Sequence, residues 1–433
     1  MRILFQGLLF AAVFAACALY GIVLRADNSY DTILWPAGGV LLGTLMTTES
    51  RRWPIWLGIA AAIHLFLYAI LDPIDGAAAG LHIQALIVMP LIAYFWRQRA
   101  QSPRDLNAPR NVIWFAILLS AGCLLSAAIS AWLPVWTPSA QLGGNWVENT
   151  FSTLVGALIG APLAIAWMSL RAHRSGGPTS IEFNSGLTLF ALTIISAVLA
   201  FDGPTAQAVF GYTRYDLTYL PLIFLALVAV QWDQRGLTFA LIVLAAVATL
   251  NTLQLEGPFF SSDETAQEAY VELQAYLIAA ALFGLIIAAI AHTRTRALKA
   301  SAVLELRFET ALACSQHLAY EYDPKTQHIL WGGDTFALLG IAPEQLATKD
   351  AFLSRVHPED IPLVEQLANR RLSDNEGESK APEIFRYRFR CGDGRYRYLA
   401  DTGAALPDFD HTVFTISGLL RVENPLHAPV HRE

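Results

Sequence analysis

Long apolar runs with almost no charge dominate the first two thirds of this 433-residue chain. Residues 1–291 contain 28 of the 65 Asp, Glu, Lys and Arg residues, whereas residues 292–433 contain the other 37. A bilayer core about 30 Å thick requires about 20 apolar residues in a helix, because unpaired backbone groups are costly in lipid. The sequence therefore predicts a membrane-embedded part followed by an ordinary soluble domain.

Ten apolar runs in the first part predict a polytopic all-α membrane domain of about ten transmembrane helices, eight to ten in all. The runs cover residues 4–24, 32–48, 54–71, 77–96, 111–133, 147–170, 186–201, 218–232, 237–253 and 273–291. The second, seventh, eighth and ninth runs are short, which leaves the count open at eight to ten.

The basic residues predict how this domain is oriented. Alternate connections between the runs contain 13 Lys and Arg residues, whereas the opposite set contains only Arg25 and Arg214. Because cytoplasmic loops carry the excess of Lys and Arg, we expect a multi-pass membrane protein with both termini in the cytoplasm. The first run continues past Cys17 to Leu24, which favours a retained span over a cleaved signal peptide.

Net charge and cysteine spacing exclude several classes of protein. A formal net charge of −7 argues against a nucleic-acid partner. The four cysteines form no disulfide framework and no zinc-binding pattern with histidine, so we predict no metal site.

Polar residues inside apolar runs are candidates for function, because burying them in lipid is costly. The ligand-binding candidates in the membrane part are Trp35, His64, His82, Glu148, Asn149 and Gln274. The alternative for each polar residue is a hydrogen bond between helices. For Trp35 and Trp53 the favoured alternative is a place in the aromatic belt at the membrane surface.

Residues 34–40, with the Arg52–Pro54 and Leu57–Gly58 stretches, resemble the opening signature of bacterial membrane-associated sensor domains of the MASE type. Further similarities follow in the same order at Trp146, Asn149, Gly156, Gly160, Pro162 and Trp167, then at 219–221, 235–236, 257–259 and 273–274. The resemblance covers nearly all of residues 1–295. It implies a sensor in the bacterial inner membrane, placed before a cytoplasmic signalling module. His64 stands near a position where the family pattern has asparagine, so a polar site there would differ.

Residues 292–307 follow the last apolar run without Gly or Pro, so they can continue its helix as a signalling connector. Ala297, Leu304 and Ala311 are seven residues apart, and two heptads are too few to establish a coiled coil. A helix that leaves the membrane in this way would transmit a displacement directly.

The soluble part alternates between strand and helix patterns. Two strands, near 318–323 and 328–331, precede short helices at 335–339 and 343–346 and a longer helix predicted from Pro358 to Leu372. Three more strands follow, near 384–390, 395–400 and 411–420. In the first of these, aromatic residues alternate with arginines, which favours a solvated face opposite an aromatic core over an anion- or nucleic-acid-binding stripe.

This order, together with the His357–Asp360 stretch and the hairpin at 391–394, resembles a PAS domain over residues 308–424. The resemblance implies an α+β fold with a five-stranded antiparallel sheet and a role as a ligand or dimerisation module. The candidates for the PAS pocket are Tyr320, Trp331, Phe336 and Tyr387. The flavin-binding cysteine motif of photoactive members is absent, and His357 suits a helix start better than a haem ligand. No cofactor is evident, and the ligand is unknown.

We find no catalytic motif, so no catalytic residue is predicted. Residues 332–336 superficially resemble the signature of diguanylate cyclases but lack its glutamate. The favoured function is a non-catalytic sensor. Its expected partners are the lipid bilayer, a second copy of the chain joined through the connector and the PAS domain, and an unknown cytoplasmic signalling protein. The alternatives are the sensory half of a histidine kinase or diguanylate cyclase whose output was lost or truncated, and a transporter with a regulatory domain. Residues 425–433 are predicted to be a disordered tail.

Overall fold

The structure is a computed structural model. It describes residues 2–23, 32–71, 85–99, 106–132, 146–168, 180–211, 216–260, 265–373, 384–407 and 414–423. The chain forms two compact units, Met1–Arg296 and Ala297–Glu433. The predicted tail at 425–433 lies outside the described residues.

The long regular elements in the described part of the first unit are helices. Its helices are α1 (Arg2–Val23), α2 (Pro36–Thr47), α3 (Trp53–Leu71), α4 (Ala85–Arg99), α5 (Pro109–Trp132), α6 (Trp146–Met168), α7 (Ser180–Phe201), α8 (Gly203–Phe210), α9 (Tyr219–Leu253) and α10 (Ala266–Ser315). A 3-10 turn at Ser50–Arg52 precedes α3.

Six helices in the described part, α1, α3, α5, α7, α9 and α10, are long and apolar enough to cross a membrane. The predicted number of about ten spans is therefore not confirmed. Helix α2 has only 12 residues, about 18 Å at 1.5 Å per residue, which is too short for a bilayer core.

Helix α9 reverses direction at Asp233. Its middle lies at the start of α7, where the Trp232 ring is 5.7 Å from that of Phe183. Both of its ends lie near the other end of α7. The Phe201 ring is 5.7 Å from Phe259 and 5.5 Å from Tyr276, whose hydroxyl donates to the carbonyl of Thr218. Helix α9 is thus a hairpin, and its two arms correspond to the separate runs predicted at 218–232 and 237–253.

The second unit contains the end of α10 and an antiparallel sheet. Its remaining elements are β1 (His317–Asp323), β2 (His328–Gly332), α11 (Thr335–Leu339), a 3-10 turn (Pro343–Leu346), α12 (Lys349–Leu353), α13 (Ile361–Ser373), β3 (Phe385–Arg390), β4 (Tyr396–Pro407) and β5 (Phe414–Glu423). The five strands lie in the order β2-β1-β5-β4-β3. The predicted five-stranded antiparallel sheet is confirmed.

The strand alternation places the aromatic side of β3 in the core. Tyr387 and Phe389 are buried, whereas Arg386 and Arg390 are exposed. This arrangement follows from the two-residue period of a strand, which sends neighbouring side chains to opposite faces. Arg386 also has a partner, since its Nε donates to a carboxylate oxygen of Glu423 at 2.8 Å.

The predicted helix start at Pro358 was three residues early. The segment before α13 is bound to strand β3, because the amide of His357 donates to the carbonyl of Arg388 at 2.9 Å. Asp360 accepts from both the amide and the side chain of Arg388, at 2.8 and 2.9 Å. These bonds hold the segment as a turn, and α13 begins after it, at Ile361.

Candidate functional site

The second unit has a cavity between its sheet and helices α12 and α13. Together with its open mouth, the cavity has a volume of about 580 Å³. Its lining residues are Tyr320, Tyr322, Ile329, Trp331, Lys349, Phe352, Leu353, Val364, Glu365, Leu367, Ala368, Arg371, Tyr387, Asp401, Ile416 and Leu420. Aromatic and aliphatic side chains predominate, as is typical of a site for a small organic molecule.

An ion pair lies at the polar wall of this cavity. Arg371 Nη2 is 3.1 Å from Asp401 Oδ1, and Arg371 Nη1 is 3.3 Å from Asp401 Oδ2. The side chains of Arg371 and Asp401 are only 9% and 6% exposed. Such a fork-to-fork pair satisfies both carboxylate oxygens with charge-assisted bonds, which a buried carboxylate requires.

Two tyrosines complete the polar wall. The Tyr320 hydroxyl donates to Asp401 at 2.8 Å and accepts from Arg371 at 2.6 Å, and the Tyr387 hydroxyl is 3.4 Å from Asp401. Burial, reinforced by the Asp401 carboxylate, raises the pKa of Tyr320 and of Tyr387 well above the ordinary tyrosine value. Both hydroxyls therefore remain protonated at physiological pH and act as hydrogen-bond donors.

Two glycines on the neighbouring strands make room for Tyr320. Gly403 and Gly418 are paired across β4 and β5. A Cβ atom at Gly418 would lie 2.6 Å from the Tyr320 ring, and one at Gly403 would lie 2.9 Å from its hydroxyl. Because no side chain fits at either position, the tyrosine can lie flat over the strands and reach Asp401.

The structure places three of the four predicted pocket residues at the cavity and excludes the fourth. Tyr320, Trp331 and Tyr387 line the cavity, and the Trp331 indole donates to the carbonyl of Leu346 at 2.9 Å. Phe336 is 68% exposed and is not a lining residue. Its prediction was wrong because α11 buries Thr335 and Leu339, one turn apart, and turns the side chain between them outward.

Sequence reasoning missed Arg371, Asp401 and the glycine pair. Asp401 and Gly403 lie in a strand that was predicted to end at residue 400, so neither was recognised as facing a core. An aspartate and two glycines within apolar strands are the available signal, because strands disfavour both residue types. Arg371, on the other hand, lies in the predicted helix among other charged residues and offers no such signal.

The first unit encloses a short extended segment before α2. Thr32, Ile33, Leu34 and Trp35 are all buried. The Gln274 side chain, from α10, donates to the carbonyl of Ile33 at 2.9 Å, and the Trp35 amide donates to the carbonyl of Ser152 at 3.4 Å. Non-helical backbone at membrane depth is tolerated only where protein satisfies it, and these bonds do so.

Three of the predicted membrane candidates lie at this segment. Trp35 and His64 are each 3% exposed, and their rings meet edge to face at 5.6 Å. Gln274 is 1% exposed. The favoured place of Trp35 in an aromatic belt is wrong, because a belt residue faces the membrane surface and this indole is enclosed by protein.

The remaining membrane candidates cannot be placed at this segment. His82 lies outside the described residues. Glu148 and Asn149 lie in α6, and their side chains are outside the described part. A binding role for all six residues stays a prediction.

Helix α2 is buried on every side from Ala37 to Met46 and lies directly against α6. A Cβ at Gly39 would lie 2.4 Å from the carbonyl oxygen of Gly156, and one at Gly160 would lie 2.5 Å from that of Pro36. Small residues allow two backbones to approach this closely. They thereby fix the position of the segment that contains Trp35.

The other end of α2 is held by a cation and an indole. Trp53 Nε1 donates to the carbonyl of Leu45 at 3.0 Å, and Arg97 Nη2 donates to it at 3.3 Å. The Arg97 guanidinium also lies over the Trp53 ring, 5.2 Å from its centroid. A positive charge suits the negative end of a helix dipole. The predicted place of Trp53 in an interfacial belt stays a prediction.

Among the described residues, no group of three or more His, Cys, Asp and Glu side chains is close enough to bind a metal ion. The second unit offers the cavity, and the first unit offers the enclosed segment at Trp35.

Comparison with known proteins gives two family matches. The MASE1 family model matches residues 6–295, and the PAS fold model matches residues 328–420. No curated protein matches the chain.

Solved structures match over the soluble part. One is the N-terminal domain of a diguanylate cyclase with a PAS/PAC sensor from Marinobacter aquaeolei, 20% identical over 24% of this chain and 94% of that chain, with a TM-score of 0.21. Another is a sensory box histidine kinase/response regulator from Burkholderia thailandensis, 20% identical over 27% of this chain and 83% of that chain, with a TM-score of 0.22.

Proposed function

The chain belongs to the MASE1 family of membrane-associated sensor domains, and on that premise we propose that it is an integral sensor of the bacterial inner membrane. It passes a membrane or ligand signal through helix α10 to a cytoplasmic PAS domain and has no catalytic output of its own. The observation that carries the proposal is the length of α10, which is one helix from Ala266 to Ser315. This helix begins among the apolar helices of the first unit and ends two residues before the first strand of the PAS sheet.

The proposed topology has about ten membrane spans, with both termini in the cytoplasm. The hairpin form of α9 supports a count higher than six, since its two arms run in opposite directions. Its turn carries Arg235, on the side that is rich in basic residues. Protease added to spheroplasts tests this orientation. We expect tags on either terminus to resist cleavage until the membrane is permeabilised, and cleavage of either tag in intact spheroplasts would overturn it.

The PAS cavity is the proposed site of a small ligand, and the segment around Trp35, His64 and Gln274 is the proposed input site in the membrane. A ligand biases a two-state sensor only if it binds one state better than the other. A thermal-shift screen of the full chain in nanodiscs would find such a ligand. The cavity assignment predicts that Gly418→Val, which pushes the Tyr320 ring into the cavity, removes the shift. An unchanged shift would place the ligand elsewhere.

The absence of catalytic output is also part of the proposal. Incubation of the purified full chain with GTP or ATP tests it. We expect neither a cyclic dinucleotide nor a phosphorylated protein, and either product formed at a rate proportional to the protein concentration would refute a purely non-catalytic sensor.

A further inference from the structure

The turn of the α9 hairpin consists of one strained residue. Asp233 has φ 55° and ψ −161°, whereas the residues on both sides are helical. This combination of angles lies outside the left-handed helical region and is populated almost only by glycine. A non-glycine residue remains there only when its surroundings enforce the conformation, and such positions concentrate at functional sites.

The Asp233 side chain points to helix α10. Its Oδ1 is 3.8 Å from Nδ1 of His292. The next residue along α10, Thr293, donates to the carbonyl of Asn107, which precedes α5, at 3.3 Å. His292 is the first residue after the last apolar run and the first of the predicted connector. The α9 turn therefore touches α10 where it leaves its apolar part.

A second irregularity occurs on the His292 side of the contact. The other ring nitrogen, Nε2, is buried and has no partner among the described residues. A buried polar atom without a partner is uncommon in folded proteins and calls for an explanation. Packing thus holds the imidazole with one nitrogen unsatisfied and the other toward a carboxylate. The contact thus joins the strained backbone of Asp233 to the unsatisfied ring of His292. A turn with a purely structural role would require neither feature.

We infer that the contact between Asp233 and His292 acts as a latch: it holds the membrane end of helix α10 in one of two settings. The contact itself stands on the geometry of the first unit. Only its meaning as a signalling step rests on the proposed function. In the latched setting the carboxylate restrains α10 at residue 292. Release of the contact frees the helix to shift, while the bond from Thr293 to Asn107 remains available to guide it.

A competing account makes Asp233 a turn residue and nothing more. The two accounts differ for glycine, which adopts the Asp233 backbone conformation without strain but has no carboxylate. On the competing account, Asp233→Gly leaves α10 as it is, or makes it more rigid. On the latch account, the same variant loosens α10 as much as Asp233→Asn, which retains the strain and loses the charge.

Hydrogen exchange of the full chain in nanodiscs tests the inference at amides 289–296. We expect Asp233→Gly, Asp233→Asn and His292→Gln each to speed exchange there about two- to fivefold, the range for a contact of this exposure. The double variant Asp233→Asn/His292→Gln should exchange no faster than either single variant, because one contact is lost only once. Thr295→Ala is the matched control, since among the described residues Thr295 donates to the carbonyl of Ala291 in its own helix, at 2.9 Å.

Wild-type exchange in Asp233→Gly, or additive effects in the double variant, would overturn the latch. This result is distinguishable from a failure of the proposed function. Exchange reports the contact whether or not the chain signals, and a catalytic activity or an inverted orientation would leave the exchange result unchanged.

Discussion

At the scale of single residues, the ion pair between Arg371 and Asp401 is a buried charged contact at the wall of the PAS cavity. Removing one partner of a buried pair leaves the other charge uncompensated, whereas removing both is far less costly. The two tyrosines increase this asymmetry, because both of their hydroxyls depend on the same carboxylate.

We therefore predict that Arg371→Met destabilises the PAS domain by about 3–5 kcal/mol. The double variant Arg371→Met/Asp401→Asn should regain much of this loss, since an asparagine oxygen still accepts from the tyrosines. Hydrogen exchange of strands β4 and β5 in the full chain measures both. Arg386→Met is the control: the Arg386 side chain is 40% exposed, so solvent screens its ion pair with Glu423 and its loss should cost much less. Equal losses for Arg371→Met and Arg386→Met would contradict the assignment.

Asp360 gives the soluble unit an acid-sensitive contact. Hydrogen bonds from the Arg388 side chain lower the pKa of Asp360 below its ordinary value of 3.8. A carboxylate whose folded pKa is lowered stabilises the fold above its unfolded pKa, and this stabilisation is lost as pH falls through the folded pKa.

We expect the PAS domain of Asp360→Asn to lose less stability than that of the wild type as pH falls below about 4. Acid unfolding followed by exchange in β3 measures it, with Glu321→Gln, a change on the exposed side of β1, as control. An acid limb as steep as that of the wild type would exclude this role.

The sequence predicted the aromatic residues of the cavity but not its charged residues, for a physical reason. Tyr320, Trp331 and Tyr387 were found because the strand period and aromatic character both point inward. Arg371 and Asp401 were missed because a charged residue is ordinarily at the surface, and only a partner far along the chain makes its burial tolerable. Phe336 was misplaced because a five-residue helix has too little pattern to fix its buried side.

At the scale of elements, the close backbone contact between α2 and α6 holds the enclosed segment at residues 32–35 in place. A Cβ at Gly39 would lie too close to the carbonyl oxygen of Gly156, whereas one at Gly58, in α3, would have no described atom within 4 Å. These two membrane glycines form a matched pair for mutation, because both lie inside helices of the same unit.

We predict that Gly39→Ala lowers the thermal stability of the first unit in detergent, at a cost of about 1–3 kcal/mol from overpacking. Gly58→Ala should be neutral or slightly stabilising, because alanine is the better helix former. Differential scanning fluorimetry of the full chain compares the two. A stable Gly39→Ala protein would mean that α2 and α6 are not in backbone contact.

At the element scale, the sequence predicted where helices occur better than how they are arranged. All ten apolar runs overlap helices in the described part. Nothing in the run at 32–48 shows that it contains a short helix enclosed by protein, because periodicity reports apolarity and not the identity of the neighbour. The break at Asp233 falls between the runs predicted at 218–232 and 237–253, but its backbone conformation was not predicted, since a strained aspartate looks like an ordinary loop residue.

At the scale of the whole molecule, the last part of helix α10 has exposed apolar side chains along one side. Leu304 and Phe308 are 68% and 53% exposed, and they fall on one side of α10 with Ala297 and Ala311. We propose a second copy of the chain as the partner, joined along this side. A strictly monomeric chain would leave these side chains in water, which is unfavourable for a stripe of this kind.

We predict that Leu304→Ser/Phe308→Ser weakens self-association in detergent at least about tenfold, which corresponds to about 1.4 kcal/mol. Val303→Ser/Leu306→Ser is the matched control, because these residues are similarly exposed but lie on other faces of the helix. Sedimentation equilibrium measures both. Equal weakening by the two double variants, or none by either, would remove the connector as the site of dimerisation.

Unbroken continuity of helix α10 is the central claim, and a distance between two spin labels tests it most directly. Thr295 and Thr310 are exposed and lie 15 residues apart, so an intact helix places their Cα atoms about 22 Å apart. The full chain in nanodiscs, labelled at both positions and diluted with unlabelled chain to suppress signals between copies, should give one narrow distribution near this distance. A broad distribution, or one centred well below it, would show a hinge in the connector and contradict the account.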